Sequence, residues 1–600
     1  MRLLSLHLFT PFRGLPADFH VEFRPPTAPN YEQLEPVCFV GLNGSGKSNV
    51  LQVLGEIFAC LEARNLMQRD YGFRRWAGDD VFWNTVAFEL SYTLDTLTWG
   101  LAQSENDKLP AYDHVEADYP VIKIQKRPDE PVRWDVLYKS IPFFNQLGFG
   151  PQIPGNDYPP LPRHIVGYSS GMNELISNAF IRSEVQCAEQ FFLRRDTFDT
   201  DLDIPFDGPD VSEYFPYDLE DESSDSELAS TTTSRNRLLY LDYESNKLIT
   251  LANFLVRDDK RLGLLYDLAR IENVRSFSVT INYPYYPSYA DEIPPELIEL
   301  PGGLNQTINR LTYCATTWTG DPPEDKDRKQ LRLDFWVNDA TKDAFNHHFK
   351  TAENLLNELY GLRLLNVLDY SEELRQRIKT SSADENLSVL LPRPEPQKAA
   401  FHVGNLKLVK SGTNGQLIPY RNLSDGEHQL LHVFGALMLM DQPGTLFLFD
   451  EPETHFNPDW RSRFVKLLND IVQDPEPDAD GQIRKRQQEV LLTSHSPFIV
   501  SDCKPENVFV FERNSDGTVA YRKPDFNTFG ASINQITLKV FGKRETISEM
   551  AMSQLKGLER QVRAGEKTPD EARNLTDELG DSVEKMLFLK FVDQFDSSNQ

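Results

Sequence analysis

The stretch GLNGSGKS, residues 41–48, matches the phosphate-binding pattern G-x-x-x-x-G-K-[ST] at each of its fixed positions. In that pattern, backbone N–H groups and the N-terminus of the following helix surround an anion. Lys47 would place a cation on the β- and γ-phosphates of a nucleotide, and the Ser48 hydroxyl would coordinate Mg²⁺. The residues expected to hold the nucleotide are Gly41, Asn43, Gly44, Ser45, Gly46, Lys47, Ser48 and Asn49.

Two adjacent carboxylates follow the apolar run in LFLFDEPE, residues 446–453. At the carboxyl end of a strand they would divide the chemistry of hydrolysis. Asp450 would hold hydrated Mg²⁺, and Glu451 would take a proton from the attacking water. A strand that merely ends in acidic residues is the ordinary explanation of such a motif when it stands alone. Beside a phosphate-binding loop, a catalytic pair is the better interpretation.

A histidine ends a second apolar run in LLTSHSP, residues 491–497. A lone histidine at a strand end is more often a satisfied polar residue than a catalytic one. After the acidic motif, however, the His495 imidazole could hydrogen-bond the γ-phosphate and the attacking water. We therefore predict that Glu451 and His495 are the catalytic side chains.

A second anion site is predicted in RNLSDGEHQLLHVFGAL, residues 421–437. Ser424 and Gly426 come just before an apolar helix that we expect to begin at Glu427, so their hydroxyl and N–H groups would lie at a positive helix end. The chain has one phosphate-binding loop. A second site for the same phosphate therefore predicts a homodimer in which two protomers face head to tail and each completes the ATP site of the other.

The elements that must position these residues alternate between strand and helix. Residues 37–40, VCFV, form a short apolar run that is typical of a buried parallel strand, and an apolar helix face follows the glycine loop. Residues 4–8 and 19–23 alternate between apolar and polar and predict an antiparallel hairpin. Strands are expected at 445–449 and 490–495, and a helix from about Asp459. The last sixty residues have a helical pattern, with capping boxes expected at Thr568 and Asp581.

The composition limits the classes of function. The net charge of −29, from 62 basic and 91 acidic residues, opposes non-specific binding to nucleic acid or to an anionic membrane. The five cysteines are scattered without any CxxC spacing, which argues against a disulfide framework or a zinc site. No apolar run is long enough to span a membrane, and the N-terminus lacks the pattern of a signal peptide. We expect a cytoplasmic protein without membrane contact.

As an ordered set, GLNGSGKS, LSDGEHQ, LFLFDEPE, THFNP and TSHSP resemble the Walker A, signature, Walker B, D-loop and switch histidine of the ATP-binding-cassette (ABC) ATPases. The chain is most similar to their soluble OLD, RecF and SMC-like branch of AAA-family ATPases. Asp425 and Glu427 depart from the common signature LSGGQ. The OLD, RecF and SMC-like branch tolerates the form LSDGE. LPRHIVGYSSGMNE, residues 161–174, is similar to a segment of restriction-associated and Septu-type antiphage defence ATPases. The position of a Q-loop glutamine stays open.

The resemblance implies an α/β fold with an ABC-type P-loop ATPase head, whose mixed sheet has flanking helices. We expect residues 1–80 and 401–530 to form the two halves of this head. A large inserted α+β lobe would occupy 81–400, and a helical C-terminal tail 531–600. Residues 196–227 contain thirteen acidic residues and no Lys or Arg, so we expect a disordered segment at 196–235. A regulatory or DNA-mimicking role for that segment is the alternative.

Several functions fit an ABC-type ATPase with ATP and Mg²⁺ as cofactors. A transporter subunit is disfavoured because the interval between the phosphate loop and the signature is too long. An OLD-type nuclease is disfavoured because no DxD pair follows His495. Two interpretations remain. In the first, the protein is a sensor and scaffold of a Septu-, retron- or restriction-associated antiphage system that controls a separate effector such as an HNH nuclease, which the C-terminal helices would dock. In the second, it is a RecF- or SMC-like repair ATPase that clamps DNA.

Overall fold

The structure is a computed structural model. It describes residues 1–24, 35–69, 86–94, 121–128, 130, 132–138, 141–142, 159–171, 175–192, 237–256, 262–282, 304–319, 330–382, 384–392, 395, 398–412, 416–441, 444–472, 488–543 and 547–599. The predicted acidic segment at 196–235 lies outside these residues, as does the end of the 161–174 segment. Among the described residues, none of the helices combines the length and apolar character that crossing a bilayer requires.

The strands of the described residues belong to three sheets. They are β1 Arg2–Leu8, β2 His20–Glu22, β3 Val37–Gly41, β4 Phe88–Thr93, β5 Val121–Lys126, β6 Arg133–Tyr138, β7 Ile141–Pro142, β8 His164–Ser169, β9 Leu238–Tyr240, β10 Ile271–Asn282, β11 Thr317–Thr319, β12 Gln330–Trp336, β13 Phe401–Lys410, β14 Leu417–Pro419, β15 Thr445–Asp450, β16 Glu489–Ser494, β17 Val508–Arg513 and β18 Val519–Arg522.

The α-helices of the described residues flank these sheets or follow them in the chain. They are α1 Lys47–Arg69, α2 Ser177–Phe192, α3 Tyr243–Val256, α4 Leu262–Ala269, α5 Leu304–Cys314, α6 Asp339–Phe349, α7 Ala352–Arg363, α8 Glu372–Thr380, α9 Asp425–Leu439, α10 Pro458–Val472, α11 Pro497–Ser501, α12 Ile533–Lys539, α13 Glu549–Arg563, α14 Pro569–Leu575 and α15 Val583–Asn599. Short 3₁₀ turns cover Leu364–Asp369, Leu387–Val389, Tyr420–Asn422 and Pro505–Asn507.

A seven-stranded sheet in the order β18-β17-β3-β16-β15-β8-β9 carries the predicted motifs. Its strands pair in parallel except for β18, which is antiparallel to β17. The phosphate-loop strand β3 lies between β17 and β16. The strand predictions for residues 37–40, 445–449 and 490–495 are confirmed, because each continuous apolar run is buried as parallel strands require.

Apolar side chains on the two faces of this sheet enter two different cores. Cys38, Val40 and Phe449 belong to a cluster that also contains the apolar face of α9. Val37 and Phe39 face the other way, into a cluster with α1 and the N-terminal strands. The alternation follows from the period of two in a strand. Described residues therefore cover both faces of the sheet, and the predicted motifs lie at the ends of its strands.

The second sheet is antiparallel, in the order β2-β1-β4-β5-β6-β7, and the third, in the order β11-β12-β10-β13-β14, is antiparallel as well. The predicted hairpin of residues 4–8 and 19–23 is confirmed, with Leu6 opposite Val21. Together the three sheets and their helices make the mixed α/β fold that the sequence predicts, and this fold is consistent with a P-loop ATPase domain.

Residues 81–400, which the sequence analysis places in one inserted lobe, supply strands to all three sheets. β4 pairs with β1, and β8 pairs with the Walker B strand β15. Of the strands formed by residues 81–400, β10, β11 and β12 lie in the third sheet. The other two strands of that sheet, β13 and β14, come from later in the chain. The four-part division of the chain stays a proposal. Each of the three sheets combines strands from at least two of the four parts.

The helix starts follow local capping chemistry. α9 begins at Asp425 and not at the expected Glu427, because Ser424 is the N-cap of a capping box that Glu427 completes. The capping box at Thr568 is confirmed. The capping box expected at Asp581 is wrong by one residue. The hydroxyl of the next residue, Ser582, caps the helix by accepting the Lys585 N–H at 3.1 Å.

Candidate functional site

The glycine loop between β3 and α1 is pressed against β17. A Cβ atom on Gly41, which has φ of 149°, would lie 2.3 Å from the carbonyl oxygen of Phe511. Gly44 and Gly46 also have positive φ, and Arg513 Nε donates to the Gly44 carbonyl at 2.8 Å. Only glycine fits the backbone at Gly41. The loop is therefore packed against β17 at Gly41 and Gly44.

Lys47, at the first position of α1, is buried and points along the loop. Its Nζ lies 3.3 Å from the carbonyl oxygens of Gly41 and Leu42 and 2.8 Å from His495 Nε2. Burial lowers the pKa of Lys47, and the carboxylates of Glu451 and Asp450 oppose this effect. The ammonium group is thus a desolvated cation placed where an anion would stabilise it.

Ser48 and Asp450 form the predicted metal pair. Ser48 Oγ donates to Asp450 Oδ1 at 2.6 Å, and Thr493 Oγ1 donates to the same oxygen at 2.6 Å. Ser169 Oγ lies 3.4 Å from Asp450 Oδ2. Burial raises the pKa of Asp450, and the hydrogen bonds from Ser48 and Thr493 oppose the rise. Hydroxyl and carboxylate oxygens grouped in this way are the ligands that Mg²⁺ prefers.

Glu451 adopts a backbone conformation that non-glycine residues rarely have, with φ of 51°. Its N–H donates to Thr493 Oγ1 at 3.0 Å, which helps to hold this turn. Its Oε1 lies 2.9 Å from His495 Nε2. The hydrogen bond to His495 is the main cause that lowers the pKa of Glu451. The carboxylate is therefore ionised at neutral pH, as a general base must be.

The signature residues lie at the start of α9 and are fixed by their own contacts. Ser424 Oγ accepts the Glu427 N–H at 3.3 Å, and Glu427 Oε2 accepts the Ser424 N–H at 2.9 Å. Lys410 forms an ion pair with Glu427 and, despite the opposing effect of burial, lowers the pKa of that carboxyl. A Cβ on Gly426 would lie 2.9 Å from the carbonyl oxygen of His455. The Ser424 hydroxyl accepts the Glu427 N–H, and its contact with the Glu427 carboxylate helps to lower the pKa of that carboxyl.

The structure brings one set of predicted residues together and leaves another apart. Lys47, Ser48, Asp450, Glu451 and His495 converge at the carboxyl ends of β3, β15 and β16. In the part of the chain that the structure describes, no hydrogen bond links the signature residues to residues 41–49. Of the remaining predicted residues, Asn43 is exposed on the loop, and Asn49 donates to the carbonyl of Arg13.

Sequence reasoning missed several residues of the site. Thr493 and Ser169 surround Asp450, and Gln429 of α9 accepts the His455 N–H at 2.9 Å and reaches the Glu451 carbonyl at 3.4 Å. Thr493 lies inside the TSH motif and could have been found there. Ser169 carries no local signal, because its position beside Asp450 depends on β8 pairing with β15.

The residues present fit a nucleotide with Mg²⁺. Ser45 Oγ is buried and has no hydrogen-bond partner among the described residues. It lies in a loop whose glycines leave no side chain in the way, beside a buried ammonium group and a hydroxyl–carboxylate pair. A triphosphate would satisfy the orphaned hydroxyl and the cation, and Mg²⁺ would fit between Ser48 and Asp450.

Comparison with known proteins supports this assignment. The family model described as "AAA domain, putative AbiEii toxin, Type IV TA system" matches residues 319–501, which include the signature helix, Walker B and the switch histidine. The match supports an AAA- or ABC-type P-loop ATPase domain, a class that binds nucleotide and usually Mg²⁺. Protein ea59 of Escherichia phage lambda is 27% identical over 255 residues. These residues are 40% of this chain and 45% of ea59, so the chain spans less than half of that relative.

Proposed function

We propose that the protein is an ABC-type ATPase that binds ATP with Mg²⁺ and hydrolyses it to ADP and phosphate. The observation that carries the proposal is the convergence of three distant segments on one point. Ser48 touches Asp450 at 2.6 Å, and His495 Nε2 lies within 2.9 Å of both Lys47 Nζ and Glu451 Oε1.

Each side chain has a task that its geometry supports. Glu451, ionised and 2.9 Å from His495, accepts the proton of the attacking water. His495 orients that water, and Lys47 neutralises the β- and γ-phosphates. Ser48 and Asp450 would hold Mg²⁺, which would supply charge stabilisation for the transferred phosphoryl group and the departing ADP. The site thus works mainly by positioning and electrostatics, as phosphoryl transfer generally does.

The contacts of His495 Nε2 suggest how the site responds to nucleotide. One ring nitrogen can either accept a hydrogen bond from Lys47 or donate one to Glu451, but it cannot do both. A phosphate that draws Lys47 to itself leaves the nitrogen free to donate to Glu451. Binding would therefore remove the competing contact with Lys47 and strengthen the hydrogen bond between His495 and Glu451.

Hydrolysis is tested with two substitutions that should have different effects. Glu451→Gln keeps the shape of the side chain but removes the base, so nucleotide binding should persist while turnover falls by about 10² to 10⁴. Lys47→Ala removes the cation and should weaken ATP binding itself. Fluorescent-nucleotide titration and phosphate release would measure the two effects. Identical binding defects in both variants would contradict this division of roles.

The proposal includes a homodimer in which the signature of one protomer contacts the phosphate of the other. It is supported by the position of Ser424 as the N-cap of α9, at the positive end of that helix. Ser424→Arg should therefore abolish turnover and leave single-site binding intact. A matched change outside the signature, Arg421→Ala, should have little effect. Normal turnover of Ser424→Arg would refute the shared site.

The cellular role that we propose is that of a cytoplasmic sensor and scaffold in an antiphage system of Septu, retron or restriction-associated type. It would control a separately encoded effector such as an HNH nuclease. The acidic net charge of −29 supports this role over that of a RecF- or SMC-like clamp on DNA. A nuclease or toxin gene beside this gene, whose product co-purifies with the protein, is the expected result. Salt-dependent binding to duplex DNA at physiological ionic strength would favour the clamp.

A further inference from the structure

Glu453 is a buried carboxylate close to the site that ATP hydrolysis does not directly use. Its side chain is 4% exposed, and burial raises its pKa to about 7. One oxygen, Oε1, accepts a hydrogen bond from the Ser494 hydroxyl. The other, Oε2, has no partner among the described residues. A buried carboxyl with an unused oxygen costs folding free energy, so the contact it does make calls for an explanation.

The Ser494 hydroxyl connects this carboxyl to the turn that carries His495. Ser494 gives its proton to Glu453, and its oxygen accepts the Ser496 N–H at 2.9 Å. The hydrogen bonds therefore run in one direction, from the Ser496 N–H through Ser494 to Glu453. They close the backbone of residues 494–496 around His495, which is the middle residue of that turn.

The backbone of Glu453 is held in place as well. Its carbonyl oxygen accepts the Phe456 N–H at 3.0 Å and a bond from Arg461 Nε at 3.2 Å. The same arginine donates to the Thr454 carbonyl at 2.7 Å. Glu453 is thus fixed between the Walker B acid and the start of α10. It gives the His495 turn a fixed point of attachment on the turn that follows β15.

We propose that Glu453 is a positioning residue that acts through Ser494 to hold His495 at its distance from Glu451. The inference rests on the proposed function, because the orientation of the imidazole matters only if His495 serves ATP hydrolysis. A misplacement of about 1 Å at a catalytic group can cost about 100-fold in rate. Two hydrogen bonds that set the path of the backbone on both sides of His495 are sufficient to control such a displacement.

The chain offers a matched pair of serines for the test. Ser494 and Ser496 are both buried and both flank His495, but Ser496 Oγ has no hydrogen-bond partner among the described residues. Ser494→Ala should lower kcat by about 10- to 100-fold and leave the ATP Kd within about twofold of wild type. Ser496→Ala removes the same atom without breaking the relay and should turn over ATP normally. Equal rates for the two variants would overturn the proposal.

Two further measurements separate positioning from general damage. Glu453→Ala should show the defect of Ser494→Ala, and Glu453→Gln should restore most of the lost kcat, because its amide oxygen can still accept from Ser494. In a His495→Ala background, Ser494→Ala should cause no additional loss. An equal loss with and without His495 would refute an effect through the histidine. Absence of ATP turnover in the wild-type protein would instead refute the proposed function, before any variant is compared.

Discussion

Two arginines from the beginning of the chain are buried against one carboxylate near its end. Arg2 Nη1 lies 3.2 Å from Glu489 Oε2, and Arg24 Nη2 lies 3.1 Å from Glu489 Oε1. The side chain of Glu489 is fully buried, and those of the two arginines are nearly so. The group joins β1 of the N-terminal sheet to β16 of the parallel sheet. It therefore holds the two sheets together.

We expect Glu489→Gln to be strongly destabilising, because it removes the buried carboxylate that faces the guanidinium groups of Arg2 and Arg24. The loss should be about 3 to 5 kcal/mol in the free energy of unfolding, measured by urea denaturation. Glu512→Gln is the control, because it breaks an exposed ion pair. The Glu512 side chain is 58% exposed and that of its partner Arg522 is 43% exposed, so the loss should be less than about 1 kcal/mol. Similar losses in both variants would mean that burial does not decide the strength of the pair.

At this scale, the sequence predicts residues whose chemistry is encoded locally. Lys47, Ser48, Asp450 and Glu451 lie in short motifs, and the structure brings their side chains together with His495. Glu489 belongs to an apolar strand and carries no local sign of a role. Its two partners are assembled only when β1 and β16 approach one another, and sequence spacing does not reveal that approach.

Helix α9 connects the signature residues to the turn that carries Glu451. Its first turn carries the signature, and Gln429 contacts the backbone beside Glu451 and His455. Further along, His432 Nε2 donates to the carbonyl oxygen of Asp242 at 2.7 Å. Burial lowers the pKa of His432 to about 4, although this hydrogen bond opposes the effect. The helix therefore contains a histidine that must stay neutral for the fold to be stable.

Acid should weaken the protein through His432. The unfolded chain gains a proton at this residue near its ordinary pKa of about 6.5, whereas the folded chain does not until about pH 4. Stability from this group is fully present above pH 6.5 and is lost as the pH falls, by up to roughly 3 kcal/mol at pH 4. His432→Gln can still donate to Asp242 and should lose less stability between pH 7.5 and pH 5. The account would be contradicted if the free energy of unfolding fell equally with pH in the wild-type protein and in His432→Gln.

Helix and strand positions follow from hydrophobic period and capping residues, so most of those near the site are predictable. The start of α9 differs from its predicted position by two residues because the capping box extends the first turn back to Ser424. Strand partners are harder to predict. β8 and β9 join the parallel sheet from within the predicted inserted lobe, and nothing in their own short apolar runs says which sheet they enter.

At the scale of the whole molecule, the last helices have a core of their own. Leu555, Leu558, Val562, Ala572, Phe588 and Val592 form a buried cluster separate from the two that cover the parallel sheet. Large apolar side chains remain outside it: Met550 is 86% exposed, Met586 70% and Leu587 61%. These side chains support the proposal that the effector docks on the C-terminal helices.

Removal of residues 547–600 should leave ATP turnover near normal and abolish co-purification of the effector. The cut takes away α13, α14 and α15 together, so no buried cluster is divided. A cut at residue 566 is a useful contrast, because it would expose Leu555, Leu558 and Val562 and should give an insoluble protein. Retained effector binding after the first cut would place the docking site elsewhere, and loss of nucleotide binding would make the tail part of the head.

The position of β3 between β16 and β17 has a consequence for the synthesis of the protein. At about 5 to 20 residues per second, a ribosome that has released β3 needs roughly 25 to 95 s more to release β17. During that time the phosphate-loop strand is apolar and unpaired, and its loop has no sheet beneath it. We therefore expect ATP not to stabilise the nascent chain, and we expect the unpaired apolar strand to be prone to aggregation. An incomplete copy released early would lack the proposed nucleotide site, so that site forms only after nearly complete translation.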